Sequence, residues 1–235
     1  MKKKVLFLGD GIYTKNLLNL YDDNLFDRYL FDYKIKKSRS KKFKKTFQVN
    51  LLDKKKILLL AKKLKIDHVI TNQNDFAIPV YGHLCSKLRL SGIPENICIR
   101  FTNKKKCRTF LKNLKNCKKY IPNFYFNRSS ISKAKQNKDF ILKPAEMQGS
   151  RYVEKLHYKD LKEKIKNFKK NKINYLIEDF IQGQDYAVES VVINKKVYNL
   201  VISKKIKFLN SFIDKRIFSK NLPENIIEKR IFKIN

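Results

Sequence analysis

Residues that could do chemistry concentrate in two segments of this 235-residue sequence, and the first lies around Lys143. The apolar run 140–142 ends at Lys143 and Pro144. Burying an unpaired ammonium group is expensive, so a lysine at the end of an apolar strand must reach a sheet edge, a partner or an anion. The loop that follows, residues 145–151, is small and polar and could present backbone N–H groups to phosphate oxygens. Taken alone, the pattern indicates either a phosphate site or a strand-end lysine before a hairpin loop.

The second segment, residues 175–190, places carboxylates at the end of a strand. Its apolar start runs into Glu178 and Asp179, a turn follows at Gly183, and Asp185 precedes a stretch of alternating apolar residues. Acids in these positions are either ordinary strand-edge residues or groups that accept hydrogen bonds from a ligand.

In this order and spacing the segments resemble the ATP-grasp family of ligases. Lys143-Pro144 is similar to the family's lysine-proline pair, and residues 149–151 are similar to its flexible small-residue loop. Residues 175–190 resemble its hinge, and residues 103–108 resemble its Asn/Asp-Lys-x-x-x-Arg helix opening. The preceding stretch resembles the domain that comes before ATP-grasp in carbamoyl-phosphate-synthase-like proteins. Four elements agree in order over nearly the whole chain.

The resemblance implies that ATP is the cofactor and assigns a role to each matching position. Lysine side chains would contact the phosphates, the loop would close over them, the hinge would hold adenine largely through backbone groups, and a carboxylate would accept hydrogen bonds from the ribose. In that order the residues are Lys104 and Lys143; Glu146, Gln148, Gly149, Ser150 and Arg151; Glu178, Asp179, Phe180 and Ile181; and Asp185. Arg108 is interpreted as a charge on the helix surface, and catalytic residues are not assigned.

Magnesium is expected from the resemblance, but its ligands are not identified. In the family, acids and an asparagine on strands downstream of the hinge hold the metal. Asp214, Glu224 and Glu228 follow the hinge, and none stands in an acid-x-Asn pattern. The sequence is therefore expected to stop before the metal-binding strands.

Three functions remain open from the sequence. The first is part of a ligase that activates a small carboxylate as an acyl-phosphate and joins it to an amine or a thiol, completed by a second chain or a homodimer. The second is a non-catalytic nucleotide-binding module, and the third is a basic nucleic-acid-binding protein. The apolar stretch 197–206 is expected to be exposed, which predicts a partner.

The elements that must position the first part of the chain alternate between strand and helix. Strands are predicted at 5–9, 29–33, 47–49 and 67–71, and helices at 14–21, after Asp53, and at 76–90. Asp53 is a predicted helix cap, with Ile57, Leu60, Ala61 and Leu64 on one apolar face of its helix. The alternation predicts a Rossmann-like α/β unit with a parallel sheet. Gly9-x-Gly11 is interpreted as a tight turn, because position 14 is threonine where a dinucleotide fingerprint needs glycine.

After Pro94 the pattern becomes α+β. Helices are predicted at 103–115 and 158–168, and strands at 123–126, 139–143, 152–156, 175–180, 185–193 and 196–203. The expected division is a pre-ATP-grasp domain at 1–101 and an incomplete ATP-grasp domain at 102–235.

Charge and cysteine content limit the possible ligands and the possible compartment of the protein. The formal charge is +34, which suggests nucleic acid. Lysines are spread along the chain, however, and Lys, Asn, Ile, Phe and Tyr all have A/T-rich codons. A drift of genome composition therefore explains the charge better than a nucleic-acid surface does. Blocks of basic residues such as 36–42 are then interpreted as solvated loops. The four cysteines and three histidines form no zinc spacing, so no metal site is predicted from them. No apolar run can span a bilayer. We therefore expect a cytoplasmic protein with reduced thiols.

Overall fold

The structure is a computed structural model that describes residues 2–11, 14–22, 24–71, 75–209 and 212–218; the side chains of 15, 38, 39, 134 and 216–218 lie outside this description. The chain divides into two compact units, residues 1–107 and 108–235. The fold is α/β in the first unit and α+β in the second.

The first unit is built on a parallel sheet of four strands in the order β3-β2-β1-β4. The strands are β1 (Lys3–Leu8), β2 (Phe26–Asp32), β3 (Lys45–Gln48) and β4 (His68–Thr71). The central strand β1 is buried from Val5 to Leu8, as expected for a strand with both faces covered. Gly9 follows it with φ 96°, which agrees with the interpretation of a tight turn.

The helices of the first unit are α1 (Thr14–Leu18), α2 (Lys37–Ser40), α3 (Lys54–Leu64), α4 (Ile78–Leu88) and α5 (Glu95–Thr102). The predicted cap of α3 is confirmed, because the Asp53 carboxylate accepts a hydrogen bond from the amide of Lys56 at 3.0 Å. Its predicted apolar face is also confirmed. Ile57 and Ala61 are fully buried, and Leu60 and Leu64 pack against the same core.

Gly82 of α4 lies in close contact with α5. A Cβ atom at this position would lie 2.8 Å from Cα of Glu95 and 2.7 Å from Sγ of Cys98, both on α5. Such distances are shorter than any side chain tolerates without a shift of the backbone. The pair α4 and α5 therefore depends on glycine at this point.

Two elements of the first unit differ from the expectation. Residues 37–40 form the short helix α2 inside the block 36–42 that was expected to be loop. Helix α5 was not predicted, because it begins directly after Pro94 without a side-chain cap and buries one residue, Cys98.

The second unit contains an antiparallel sheet of four strands in the order β5-β8-β6-β7. The strands are β5 (Phe124–Tyr125), β6 (Asp139–Pro144), β7 (Glu154–His157) and β8 (Tyr175–Asp179), and helix α7 (Leu161–Lys170) packs beside them. Helix α6 (Lys104–Asn113) precedes them in the chain. Phe140 and Leu142 of β6 and Ile177 of β8 are buried in one core with Leu161 of α7. Because strand residues alternate between faces, Ile141, Lys143 and Glu178 face the other way.

A second antiparallel sheet follows, in the order β11-β10-β9. Its strands are β9 (Tyr186–Ile193), β10 (Lys196–Lys207) and β11 (Asp214–Phe218), the last of which was not predicted. Asn194 and Lys195 join β9 to β10 with φ 50° and 65°, the conformation of a two-residue hairpin turn. The register of β10 against β9 shifts between Asn199 and Val201, which marks a β-bulge.

Apolar side chains on β10 are exposed, as expected for this stretch. Val197 is 53% and Leu200 67% exposed, whereas Ile202 is buried. Within the described ranges, no helix is long and apolar enough to cross a bilayer.

Candidate functional site

A cleft of about 1000 Å³ lies in the second unit, over the face of β6 and β8 that is turned away from the core. Its lining mixes apolar side chains with charged ones. The apolar set includes Ile141, Val153, Phe180, Ile181, Phe212 and Ile213; the lysines are Lys143, Lys155, Lys205 and Lys207; the acids are Glu154, Glu178, Asp179, Asp185 and Asp214. The volume is at the upper end of the range typical of small-molecule sites.

Lys143 and Glu178 meet at the base of this cleft. Their strands are antiparallel, with Ile141 opposite Glu178 and Lys143 opposite Leu176, so the two charged residues are diagonal neighbours on one face. The Lys143 ammonium donates to Glu178 Oε2 at 2.5 Å. Glu178 is 5% exposed, and a carboxylate buried to this extent requires a compensating charge.

Arg108 supplies a second charge to the same carboxylate. Its Nε donates to Glu178 Oε1 at 2.6 Å, so each carboxylate oxygen of Glu178 has its own cationic donor. The expectation that Arg108 is a surface charge on its helix is therefore wrong. The physical reason is that a buried acid 70 residues further along the chain draws the guanidinium inward.

Asp179, the next residue, anchors the end of β8. Its carboxylate accepts hydrogen bonds from Lys135 Nζ at 2.8 Å, Asn123 Nδ2 at 2.8 Å and the Tyr125 hydroxyl at 3.0 Å. Burial acts to raise the pKa of Asp179, but these donors outweigh burial and hold the pKa below its ordinary value. The hydrogen bond to Asp179 raises the pKa of Lys135 in turn. The anchor is thus an ion pair at neutral pH.

The loop that follows β6 adopts left-handed backbone at Gly149, Ser150 and Tyr152, with φ of 69°, 54° and 57°. Glycine tolerates this conformation, whereas tyrosine rarely adopts it. The backbone at Tyr152 therefore takes an angle that glycine favours. The Ser150 hydroxyl donates to the carbonyl oxygen of Phe212 at 2.8 Å, which ties the loop to the segment before β11.

On the β9–β11 side of the cleft, acids and lysines pair in a short ladder. Asp185 forms an ion pair with Lys207, and Lys205 Nζ donates to Asp214 Oδ2 at 2.8 Å. Strand residues two apart share a face, so both lysines point into the cleft. The cations and acids of the lining nearly balance, which leaves a polar cleft without a strong excess of either charge.

The cleft brings together seven of the twelve residues assigned from the sequence: Lys143, Ser150, Glu178, Asp179, Phe180, Ile181 and Asp185. Glu146, Gln148, Gly149 and Arg151 belong to the adjoining loop and are not among its lining residues. Lys104 is the first residue of helix α6 and belongs to the first unit. Asn103 precedes it and caps the helix by accepting a hydrogen bond from the amide of Lys106 at 3.0 Å.

Sequence reasoning did not single out Lys155, Lys205 or Lys207. Lys155 lies 4.1 Å from the centroid of the Phe180 ring, a cation–π distance at the hinge. Lys205 and Lys207 could have been found from the sequence, because lysines at alternate positions of a strand lie on one face and can bind an anion together. This pattern was hidden by the general abundance of lysine.

The described part of the chain does not form a metal site by itself. Among the residues that the structure describes, no three His, Cys, Asp or Glu side chains are grouped so that they could hold a metal ion. Asp214 lines the cleft and is paired with Lys205, while Glu224 and Glu228 lie outside the described residues. Magnesium ligands therefore stay unassigned, and no step is derived through the metal. The four cysteines are all free thiols.

Chemically, the cleft offers an apolar slot beside cations at hydrogen-bonding positions. The apolar slot suits a flat aromatic ring, and the lysines suit phosphate oxygens. A ligand with both parts, such as a nucleoside triphosphate, fits this arrangement.

Comparison with known proteins agrees with the geometry. Residues 102–216 match the family model described as the ATP-grasp domain. No curated protein sequence matches the chain significantly.

Solved structures share the fold. L-amino acid ligase from Bacillus licheniformis has a TM-score of 0.72 and 17% identity, with 98% of this chain and 57% of that chain covered. N5-carboxyaminoimidazole synthetase from Staphylococcus aureus, complexed with ADP, has a TM-score of 0.71 and 15% identity over 99% and 62%. D-alanine–D-alanine ligase from Bacillus anthracis has a TM-score of 0.64 and 14% identity over 100% and 76%. The chain thus spans little more than half the length of the first two proteins.

Proposed function

Because the chain carries an ATP-grasp domain at residues 102–216, we propose that it binds ATP in the cleft of its second unit and works as part of an ATP-dependent ligase. The observation that carries this proposal is the placement of Lys143 and Glu178 side by side at the base of a cleft with apolar walls. Lys143 binds the phosphates, and the hinge 178–181 holds the adenine with Ile141, Val153 and Phe212 beside it.

Arg108 allows Lys143 to leave Glu178 and contact a phosphate. When Lys143 turns toward a phosphate, Glu178 loses one of its two cations while it is still buried. Arg108 remains on the other oxygen and keeps the acid compensated. A buried carboxylate with no cation would otherwise oppose nucleotide binding by several kcal/mol.

The remaining assignments follow from the same cleft. Asp185 accepts hydrogen bonds from the ribose hydroxyls once its ion pair with Lys207 opens, and Lys207 is then available to the phosphates. The loop 146–151 closes over the phosphates, and Lys104 contacts them as the resemblance implies. Magnesium would supply neutralisation of phosphate charge when ATP is bound, and none of the described residues is assigned to hold it. Residues 1–101 form the pre-ATP-grasp domain.

The reaction is the activation of a small carboxylate by ATP and its transfer to an amine or a thiol. Support comes from the ligase names of the structural neighbours, none of which fixes the acid for this chain. Incubation with ATP, magnesium and panels of carboxylates and amines tests the ligase directly. ADP release that requires a carboxylate supports it, whereas tight ATP binding without such release favours the non-catalytic module.

The substitution Lys143→Ala tests the site. It removes one charge-assisted contact to phosphate, worth about 1.5–3 kcal/mol, so ATP should bind about 10- to 100-fold more weakly, with or without magnesium. Lys166→Ala, an exposed lysine on α7, is the matched control and should leave ATP affinity unchanged. Equal affinity of the wild-type chain and Lys143→Ala would overturn the site assignment.

Partner and location complete the proposal. The exposed apolar side chains of β10 support a second copy or a separate chain that covers them, and sedimentation velocity at increasing concentration tests for the former. The free thiols support the reducing cytoplasm as the location.

A further inference from the structure

The loop between β6 and β7, residues 145–153, has a strained backbone beside the cleft. Three of the four residues 149–152 have left-handed backbone, and one of them is Tyr152, with φ 57°. A bulky residue in this conformation costs free energy, and it persists only where the surrounding structure holds it in place. Such strain is concentrated at ligand clamps and switch regions, so the contacts that hold this loop bear on its function.

Tyr152 is held by an aromatic contact with helix α7. Its ring lies edge-on to the ring of Phe168, with 6.5 Å between the ring centroids and an angle of 76° between the ring planes. Phe168 is buried in the core of the second unit, whereas Tyr152 is 59% exposed. An edge-to-face pair at this separation is favourable, and it ties the end of the loop to a packed helix.

Ser150 is held from the other side of the cleft. Its hydroxyl donates to the carbonyl oxygen of Phe212 at 2.8 Å. Phe212 lies in the connection between β10 and β11, where the amide of Phe208 donates to the carbonyl oxygen of Ile213 at 3.1 Å and the Lys207 ammonium lies 5.1 Å from the centroid of the Phe212 ring. Because Ser150 and Phe212 both line the cleft, this hydrogen bond joins the loop to the sheet on the opposite side.

The beginning of the loop is fixed as well. Ala145 is fully buried, and its amide donates to the carbonyl oxygen of Asn174 at 2.8 Å. The amide of Val153 donates to the carbonyl oxygen of Ser150 at 3.3 Å, which closes a turn that includes Tyr152. The loop thus has anchors at its start, its middle and its end, while the cleft beside it keeps a volume of about 1000 Å³.

We propose that Tyr152 and Ser150 are positioning residues that hold this loop at the cleft before the nucleotide binds. The inference rests on the proposed function, in which the loop covers the phosphates, and it adds that the loop is a preformed clamp. A preformed clamp avoids a cost in entropy, since ordering the backbone of one residue corresponds to a factor of about 5 to 30 in a binding constant. Tyr152 is not among the lining residues of the cleft, so it acts on ATP affinity through the loop.

Nitrogen-15 relaxation of the nucleotide-free chain tests the anchor at Tyr152. Rigid backbone gives order parameters of about 0.85, and flexible backbone gives values below about 0.6. The amides of residues 149–153 should be rigid in the wild-type chain and in Tyr152→Phe, which keeps the ring. They should be flexible in Tyr152→Ala, which keeps the strain and loses the ring contact. Tyr33→Ala, at a tyrosine of the first unit that is 70% exposed, is the matched control and should leave them rigid.

The anchor at Ser150 is tested in the same way. Ser150→Ala should make the amides of residues 149–153 flexible, because it removes the hydrogen bond to Phe212. The absence of nucleotide in this measurement separates the anchor from any contact between Ser150 and a phosphate.

Titration with ATP and magnesium measures the consequence for binding. Tyr152→Ala should bind ATP at least about fivefold more weakly than the wild-type chain, because binding must then order the loop. Tyr152→Phe should bind ATP like the wild-type chain. A residue with a merely structural role would not give this rescue together with a change of mobility confined to the loop.

Three outcomes would overturn the inference. They are a flexible loop in the wild-type chain, a loop that stays rigid in Tyr152→Ala, and equal ATP affinity of Tyr152→Ala and Tyr152→Phe. If the amides of strands β6 and β8 also become flexible in Tyr152→Ala, Tyr152→Gly replaces it with the same expectation, because glycine adopts the left-handed angle without strain. A wild-type chain that binds no ATP would refute the proposed function instead, and the relaxation measurement would still decide whether the loop is anchored.

Discussion

Replacing Asp179 by asparagine isolates the anchor that holds the end of β8 against its neighbours. The substitution preserves shape and one carbonyl oxygen but removes the charge that binds Lys135, Asn123 and Tyr125. Because residues 178–181 form the proposed adenine hinge, the anchor also sets where that backbone lies. A change in stability and a change in ATP affinity are both expected.

The magnitude follows from the donors. A hydrogen bond to a charged group contributes about 1.5–3 kcal/mol and a neutral one about 0.5–1.5 kcal/mol. Asparagine can still accept from Tyr125, so the main loss is the pair with Lys135. The side chains of Asp179 and Lys135 are 21% and 28% exposed, so solvent reduces the loss. We expect Asp179→Asn to lower the free energy of unfolding by about 1.5–2 kcal/mol at pH 7.

The pH dependence has a definite sign. The pKa of Asp179 is lowered in the folded state, because its three donors outweigh the effect of burial. A carboxyl group of this kind stabilises the fold fully above its unfolded pKa of about 3.9, and the contribution is lost as the pH falls through the folded pKa. The difference between wild type and Asp179→Asn should therefore stay level from pH 7 to about pH 5 and shrink below about pH 4.

Urea denaturation followed by circular dichroism measures the difference, and hydrogen exchange of residues 123–126 and 175–180 localises it. Asp139→Asn is the matched control. Asp139 pairs with Lys155, but both side chains are 40% or more exposed, so its loss should stay below about 0.5 kcal/mol. Equal losses for the two variants would refute the reasoning, as would a difference that grows as the pH falls.

Two further contacts, those of Arg108 and Gly82, are tested by substitution. Arg108→Ala should weaken ATP binding and lower the free energy of unfolding by about 1–2 kcal/mol, because Lys143 is then the one cation left on Glu178. Arg108→Lys should recover less than half of each loss, because the hydrogen bond from Nε is absent. Chemical denaturation and ATP titration measure the two losses. Gly82→Ala should lower the stability by about 1–3 kcal/mol in a thermal melt, because its Cβ would meet the backbone of α5. Gly183→Ala is the control and should melt like wild type, because nothing lies within 4 Å of the added atom. Equal melting temperatures of the two variants would contradict the packing argument.

Much of the fold could be predicted from local pattern. The apolar spacing of α3 and the acid before it act within one helix, so Asp53 and Ile57 were assigned correctly. Strand β6 was recognised for the same reason. Helix α5 and strand β11 were missed, because α5 buries a single residue of its own and β11 exists through pairing with β10. Such non-local pairing leaves little trace in a short window of sequence.

The site was harder to predict than the fold. Lys143 and Glu178 could be recognised because each ends an apolar strand. The prediction for Arg108 was wrong, because its partner Glu178 is 70 residues away in the chain. A single charged residue on a polar helix does not indicate whether its side chain faces solvent or the protein. The pairing of Asp185 with Lys207 likewise depends on the register of a hairpin, which the charges themselves do not reveal.

The bulge at residues 199–201 has a consequence for how insertions and deletions act on this protein. With the 194–195 turn in place, the extra residue decides which side of the sheet the later part of β10 presents, because side chains alternate strictly along a strand. Loss of a single codon at Leu200 would turn Lys205 and Lys207 out of the cleft while every cleft residue keeps its identity. The number of residues in one hairpin thus decides which charges the cleft presents, and a gap at this point in an alignment of relatives would mark a change in the cleft that no substitution shows.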